Sequence, residues 1–304
     1  MIRRNLLEQG GFFMKISTIF EKKNTVFSLE VFPPKKTSGI ETIYSTLDQL
    51  ADLPLDFISV TYGAGGTGTG SYTAQIASDL KHKYHIEPMA HLTSIHTTRA
   101  QATDILTELR DNGIENVLAL RGDRHEELPI SNDFTYASDL TKFIADFGGF
   151  DICGACYPEG HPESESLIAD TMNLKPKIDA GCSHLVTQLF YDNSDFYAFR
   201  DRMKLAGINV PVEAGIMPVV NKKQIERTVS MCGASLPRKF THMMSRYENN
   251  PEALFDAGIA YAVDQIIDLI ANGVDGIHLY AMNNPRVAHL IYDRIRTVLD
   301  ASNE

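Results

Sequence analysis

Six reactive or polar side chains follow six successive apolar segments of this chain at nearly constant spacing. The steps between them are 31, 30, 30, 36 and 31 residues, and the six are Glu30, Thr61, His91, Arg121, Tyr157 and Gln188. A carboxyl and an imidazole can move protons, a guanidinium can bind an anion, and an amide can pair with a heterocycle. Each step fits one βα unit, which takes about 30 residues or more. We therefore expect these side chains to meet at the C-terminal ends of parallel strands.

Eight apolar segments predict the strands that would position these residues. They are Phe27–Phe32, Phe57–Thr61, Glu87–Leu92, Asn116–Leu120, Asp151–Tyr157, His184–Gln188, Val212–Ile216 and Gly276–Tyr280. Strands that alternate with helical segments favour a parallel sheet, and eight repeats favour a closed barrel. The expected fold is a single α/β domain over residues 14–304, a (β/α)8 TIM barrel. The longer stretch after the seventh strand, residues 221–273, predicts an extra helix around residues 232–240.

Helical periodicity is clearest after the third strand. Apolar residues at positions 102, 105, 106 and 109 follow the i, i+3, i+4, i+7 pattern of an amphipathic helix. Thr97 or Thr98 can cap its start, and the pair Asn112-Gly113 can end it.

Composition excludes several classes of protein. The 304 residues carry a net charge of -11, which argues against nucleic acid or an anionic membrane as the main partner. No segment has the apolar length of a transmembrane helix. Four cysteines are too few for a disulfide scaffold, which indicates a reducing, cytoplasmic setting. Cys153 and Cys156 lie three positions apart on a predicted strand, so they point to opposite faces and are interpreted as small core residues rather than metal ligands.

Residues 1–13 are interpreted as a translated leader or a disordered extension. Gln9-Gly10-Gly11 can be encoded by a ribosome-binding sequence shortly before Met14, which would then be the natural start. This segment lacks the apolar stretch of a signal peptide.

Glu30 is the candidate acid, since it lies in the apolar segment FSLEVF. Burying a carboxylate is costly, and desolvation raises its pKa so that it can still donate a proton near neutral pH. The alternative is a charge that faces the outer layer of the barrel and is paired there.

Two loop motifs are candidates for ligand binding. The glycine-rich segment Thr61–Ser71 allows close backbone approach but lacks the lysine of a P-loop, so a flexible loop remains an equal alternative. In Arg121-Gly122-Asp123, the arginine can neutralise a diphosphate and the aspartate can bond the N–H edge of a heterocycle. The side-chain amide of Gln188 could form hydrogen bonds with an amide-like heterocycle.

The segment YPEGHPES brings Tyr157 and His161 to the next strand end, where the histidine is either a ligand contact or a helix cap. Asp170, Asn173 and Lys177 follow at i, i+3 and i+7, which predicts one polar stripe on one helix.

The chain resembles the methylenetetrahydrofolate reductase family, in its compact bacterial form, from about Lys15 to Leu299. Eight segments carry the resemblance in this order: FSLEVFPPK, VTYGAGG, HLT, ALRGD, YASDL, YPEGHPE, NLKPKIDAG and TQLFYD. It implies a flavoprotein that binds FAD at the barrel mouth and takes electrons from NADH or NADPH. The reduced flavin would pass hydride to 5,10-methylenetetrahydrofolate in a ping-pong reaction that yields 5-methyltetrahydrofolate. A homo-oligomer is also implied.

The resemblance also implies roles for individual residues. Glu30 would be the general acid, and Asp123 would bond the pterin and tune the flavin. The residues implied around FAD are Thr61, Tyr62, Ala64, His91, Arg121, Gly122, Asp123, Ala137, Tyr157, His161, Asp170, Asn173 and Lys177. The folate contacts would be Asp123, Gln188, Gln224 and Tyr280, with Gln188 also on the nicotinamide.

The chain departs from the family pattern at several positions. Residues 67–69 read Thr-Gly-Thr where many members have Ser-Thr-Arg, and Thr228 replaces an aromatic residue expected near the folate. Asn284 replaces an expected arginine, for which Arg286 is the candidate substitute. Pro176 replaces a residue that is often basic near the flavin phosphates.

Two other functions are compatible with these residues. One is a cofactor-free barrel lyase or aldolase with Glu30 and His91 as acid and base. The other is a non-catalytic flavin-binding subunit that receives electrons from a partner protein.

Overall fold

Eight parallel strands pair in sequence order and close into a barrel, because β8 pairs with β1. The computed structural model describes residues 14–34, 39–62, 70–124, 129–221, 223–224 and 234–304. The strands are β1 Val26–Val31, β2 Phe57–Val60, β3 Glu87–Thr93, β4 Asn116–Leu120, β5 Asp151–Cys156, β6 Cys182–Thr187, β7 Val212–Ile216 and β8 Gly276–Leu279. The predicted TIM barrel is confirmed, and no predicted strand end is wrong by more than two residues.

Helices separate the strands and cover the barrel. Within the described ranges they are α1 Ser17–Phe20, α2 Ile40–Leu50, α3 Gly70–His82, α4 Arg99–Asp111, α5 Ala137–Phe147, α6 Leu167–Met172, α7 Lys175–Asp179, α8 Asn193–Leu205, α9 Arg238–Tyr247, α10 Pro251–Ala271 and α11 Pro285–Ser302. None of these helices has the length and apolarity that a membrane span requires.

The N-terminal end of the barrel is closed by the chain segment that contains α1. Ile16 and Ile19 pack on the interior cluster that includes Phe57, Met89 and Leu118. The amide of Ile16 donates to Asn116 Oδ1 at 2.9 Å, which connects the segment that contains α1 to the first residue of β4. Ligands can therefore reach the interior from the opposite, C-terminal end.

Local signals set the helix boundaries as expected in two cases. Thr98 caps α4 by accepting from the amide of Gln101, whose side chain returns the bond. The extra helix after the seventh strand is confirmed as α9, which begins after Pro237, inside the predicted segment, and runs on to Tyr247.

The polar stripe predicted on one helix is wrong. Asp170 lies on α6, Asn173 caps the end of α6, and Lys177 lies on the separate helix α7. Pro176 explains the break, because a proline inside a helix has no N–H for the carbonyl four residues earlier and its ring clashes there.

Cys153 and Cys156 face opposite sides of β5, as predicted. Cys153 belongs to the interior cluster, and Cys156 packs in the layer between strands and helices. Both are free thiols, and burial raises the pKa of each, so they are inert core residues.

Several predictions lie outside the described residues. They concern the leader 1–13, Ala64, residues 67–69 and Thr228.

Gly258 of α10 allows the helix to touch the segment that follows β7. A Cβ at this position would lie 1.8 Å from the carbonyl oxygen of Val219. Gly258→Ala should therefore lower the free energy of unfolding by about 1–3 kcal/mol. Helix propensity alone predicts the opposite sign, a gain of about 1 kcal/mol. Urea denaturation followed by circular dichroism measures the difference.

Ala260→Gly, on the exposed side of the same helix, is the matched control for propensity. If Gly258→Ala stabilises the protein by as much as Ala260→Gly destabilises it, the close packing against Val219 is refuted.

Candidate active site

A cavity of about 1420 Å³ opens at the C-terminal ends of the strands. Every described residue predicted for the site lines it, with Gln224 and the candidate substitute Arg286 as the exceptions. The predicted lining residues are Glu30, Thr61, Tyr62, His91, Arg121, Gly122, Asp123, Ala137, Tyr157, His161, Asp170, Asn173, Lys177, Gln188 and Tyr280. The barrel thus brings together side chains that are up to 250 positions apart in the sequence.

Glu30 points into the barrel, whereas its neighbours Leu29 and Val31 pack in the outer core. The alternative of an outward-facing charge is therefore wrong. Burial raises the pKa of Glu30 to about 8, so its carboxyl carries a proton at neutral pH. The side chain keeps 11% of its surface exposed, which leaves the acid in contact with the cavity.

His91 faces Glu30 across the cavity floor, with 3.6 Å between His91 Nε2 and Glu30 Oε2. Burial lowers the pKa of His91 to about 3, so the imidazole is neutral. Its Nε2 has no hydrogen-bond partner among the described residues. A buried polar atom at a cavity wall is a candidate ligand contact.

Tyr280 follows β8 and flanks the same floor. Its hydroxyl donates to the backbone carbonyl of Thr187 at 2.7 Å, and burial raises its pKa well above the ordinary value. The hydroxyl is thus already hydrogen-bonded to the backbone of the barrel, and the ring is the part of Tyr280 that a ligand can contact.

Arg121 extends from the end of β4 and forms a two-point ion pair with Glu163. Nη1 lies 2.6 Å from Oε2 and Nη2 lies 3.1 Å from Oε1. Gly122 makes the tight turn with a φ of 83°, and a Cβ there would lie 2.9 Å from Thr93 Cβ. The exposed Asp123 follows at the rim of the cavity.

The loop after β5 supplies an aromatic wall. Tyr157 and His161 pack edge to face with ring centroids 4.8 Å apart. His161 Nδ1 accepts from the amide of Glu163 at 3.1 Å, so the histidine is held by its own loop. Burial and the nearby Arg121 lower the pKa of His161, which keeps it neutral.

The polar residues after this loop are held by hydrogen bonds. Asp170 Oδ1 accepts from Ser164 Oγ at 2.7 Å. Lys177 Nζ donates to the carbonyl of Ala155 at 2.7 Å, which brings its charge to the end of β5.

The two glutamines differ in position. Gln188 lies at the cavity, with its Oε1 accepting from the amide of Leu189. Gln224 instead bonds the loop after β7, because its Oε1 accepts from Val220 N and its Nε2 donates to Pro218 O. The structure therefore does not bring Gln224 to the other predicted folate contacts.

The substitute proposed for the missing arginine is also not in the cavity. The guanidinium of Arg286 lies over the ring of Phe255, 4.5 Å from its centroid. Asn284 caps α11 by accepting from the amide of Val287.

Glu163 is one of the site residues that the sequence analysis missed. It lies in the quoted YPEGHPES segment, but its pairing with Arg121 joins positions 42 residues apart and has no periodic signal. Met217 at the cavity was missed for a similar reason, since it follows β7 in an irregular segment.

These observations define a (β/α)8 barrel with a buried acid, a neutral imidazole and an anchored cation around one large cavity. Such a cavity at the C-terminal face is typical of barrel enzymes.

The chain belongs to the methylenetetrahydrofolate reductase family, whose sequence profile matches residues 15–296. It is 38% identical to the 5,10-methylenetetrahydrofolate reductase of Pectobacterium carotovorum subsp. carotovorum, over 87% of this chain and 88% of that one. It is 36% identical to the protein of the same name from Escherichia coli (strain K12), with the same coverage.

Two other proteins extend the comparison. Methylenetetrahydrofolate reductase (NADH) 1 of Arabidopsis thaliana is 35% identical over 88% of this chain, which spans 48% of that protein's length. A solved structure of an uncharacterized protein from Clostridium thermocellum, described as binding two copies of 5-methyl-5,6,7,8-tetrahydrofolic acid, superimposes with a TM-score of 0.69. It covers 94% of this chain and 99% of that one at 14% identity, which is a likeness of fold alone.

The raised pKa of Glu30 predicts a pH-dependent stability. In the unfolded chain the group titrates near its ordinary value of 4.5, and in the folded protein near 8. Between these values the folded state binds one more proton, so Glu30 makes the free energy of unfolding fall as pH rises. Glu30→Gln removes this slope, and the variant should gain stability over the wild type by up to about 1.4 kcal/mol per pH unit from pH 5 to 8.

Urea denaturation at several pH values measures both proteins, and the exposed Glu41→Gln on α2 serves as the control. Parallel pH profiles of the wild type and Glu30→Gln would contradict a protonated, buried Glu30.

Proposed function

We propose that this protein reduces 5,10-methylenetetrahydrofolate to 5-methyltetrahydrofolate with electrons from NADH or NADPH, passed through a bound FAD. Glu30 acts as the general acid. The observation that supports this most directly is the buried carboxyl of Glu30, whose pKa is raised by desolvation, on the floor of the large cavity. The relatives named above are called methylenetetrahydrofolate reductases, and the name of one of them specifies NADH.

The residues of the cavity fit a flavin dinucleotide. The volume of about 1420 Å³ exceeds that of a typical small-ligand pocket, roughly 300–1,000 Å³. Arg121 and Lys177 supply positive charge for a diphosphate, and the close turn at Gly122 allows the backbone to approach it. The unpartnered Nε2 of His91 can bond a polar ring atom. Ala137 and Tyr157 line the same cavity and would contact the cofactor there.

Glu30 would give its proton to a nitrogen of the substrate's five-membered ring, which opens the ring to an iminium ion. The flavin, when bound, supplies the two-electron hydride transfer. The neutral His91, 3.6 Å from the carboxyl, leaves Glu30 without a cationic partner that would pull its pKa down. A positioned acid of this kind contributes about 10²–10⁴-fold in rate.

The substrate would lie over the same floor. Asp123 and Gln188 would bond the pterin, with the ring of Tyr280 as an apolar wall. A contact with Gln224 requires that its amide leave the loop after β7. Because the nicotinamide and the folate would both react with the same flavin, they would occupy the cavity in turn, which gives ping-pong kinetics.

Anaerobic spectroscopy tests the proposal. The purified or FAD-reconstituted protein should show a flavin spectrum that bleaches with NADH or NADPH and returns on addition of methylenetetrahydrofolate. A colourless protein that cannot be reconstituted would refute the flavin assignment and favour a cofactor-free lyase. Flavin that binds but is not bleached by either nucleotide would indicate that a partner protein supplies electrons.

Glu30→Gln tests the acid. The variant should keep flavin bleaching by the nucleotide but lose about 10²–10⁴-fold in the rate of reoxidation by the folate. Stopped-flow absorbance measures the two half-reactions separately, with Glu41→Gln as the control. Full-rate reoxidation by Glu30→Gln would exclude Glu30 as the proton donor.

A further inference from the structure

The cavity holds few permanent positive charges. Among its described lining residues, Arg121 and Lys177 are the lysine and arginine side chains. Its acidic lining residues are Glu30, Asp104, Glu108, Asp123, Glu163, Glu165 and Asp170. Pro176, at the cavity wall, adds no charge. Binding of an anionic ligand therefore depends strongly on the state of Arg121.

Glu163 engages the part of Arg121 that a phosphate would use. Its two oxygens bond Nη1 and Nη2 at 2.6 and 3.1 Å, which is the fork geometry that guanidinium also offers to phosphate oxygens. The pair lowers the pKa of Glu163 through its hydrogen bond to Arg121, so the carboxylate is ionised at neutral pH. A diphosphate and the Glu163 carboxylate cannot both bond Nη1 and Nη2 of Arg121 at the same time.

Glu163 can also leave Arg121 easily. Its side chain is 59% exposed, against 29% for Arg121, so the carboxylate can turn into water without being desolvated. The amide of Glu163 donates to His161 Nδ1, a bond that does not involve the carboxylate. Release of the side chain therefore needs no change in the loop.

We infer that Glu163 sets the affinity of the cavity for its diphosphate ligand by competing for Arg121. The inference rests on the proposed function, since the ligand considered is the flavin dinucleotide. If Glu163 competes in this way, removal of its carboxylate strengthens binding of the flavin dinucleotide. A Glu163 that instead orients Arg121 for the ligand would have the opposite effect.

The test compares the wild type with Glu163→Gln by titration of FAD, followed by quenching of flavin fluorescence. The variant should bind FAD about twofold to fivefold more tightly, the size expected when a solvent-exposed ion pair no longer competes. Riboflavin, which lacks the diphosphate, should bind both proteins equally. Circular dichroism melts check that the variant is folded.

Glu165→Gln is the matched control, because it removes the same charge from the same exposed stretch of chain. Equal tightening by both variants would mean a general charge effect and would overturn the inference. Weaker or unchanged FAD binding by Glu163→Gln would also overturn it.

Calorimetric titration with ADP, a diphosphate without flavin, separates the two proposals. Tighter ADP binding by Glu163→Gln, with no flavin binding by either protein, would support the role of Glu163 and refute the flavin assignment. Flavin binding with equal affinity by both proteins would support the flavin assignment and refute the role of Glu163. If neither protein binds FAD or ADP, both proposals fail.

Discussion

Closure of the parallel barrel between β1 and β8 is the constraint on which the site depends. The pairing runs from Val26 opposite Gly276 to Leu29 opposite Leu279, which fixes the register of the first strand. On its other side, Glu30 pairs with Ser59 of β2. Because side chains alternate along a strand, a slip of one residue would turn Glu30 into the outer core and Leu29 into the cavity. The hydrogen-bond register thus decides whether the chain has an acid at its site.

Desolvation raises the pKa of Glu30 and so lets it act as an acid, but burial alone does not make a carboxyl part of the active site. Glu213 of β7 is also fully buried, and its pKa is also raised to about 8. It differs from Glu30 in its surroundings, since it bonds Ser28 and lies below the cavity floor, out of reach of a ligand. The same physical shift therefore marks a structural acid inside the barrel and a candidate catalytic acid at its mouth. Access to the cavity separates the two.

The sequence predicted the fold and the convergence of six strand-end side chains on one cavity because both follow from periodic features. The other residues of the candidate site were expected from local motifs or from the family resemblance. Strand ends that recur about every 30 residues converge on one face, so Glu30, His91 and Arg121 could be grouped without coordinates. Pro176 in the sequence indicates the break between α6 and α7, which the i, i+3, i+7 spacing of the polar residues does not show. Gln224 and Arg286 could not be placed from spacing, because each lies several residues beyond a strand end and does not share the phase of the strand-end residues. Pairings between distant loops, such as Arg121 with Glu163, leave no trace in spacing.

The loop after β5 shows why one side chain can move while its surroundings stay fixed. Arg202 of α8 donates to the carbonyl of Pro158 at 2.7 Å, and Glu159 accepts from the amide of Ser235 at 2.8 Å. Ser164 bonds Asp170 at the far end of the loop. The loop is therefore bonded to α8, to the segment before α9 and to α6. The exposed carboxylate of Glu163 contributes little to this anchoring, because an exposed ion pair is worth only about 0–1 kcal/mol. A ligand at Arg121 can thus replace one ion pair with another at little cost to the fold.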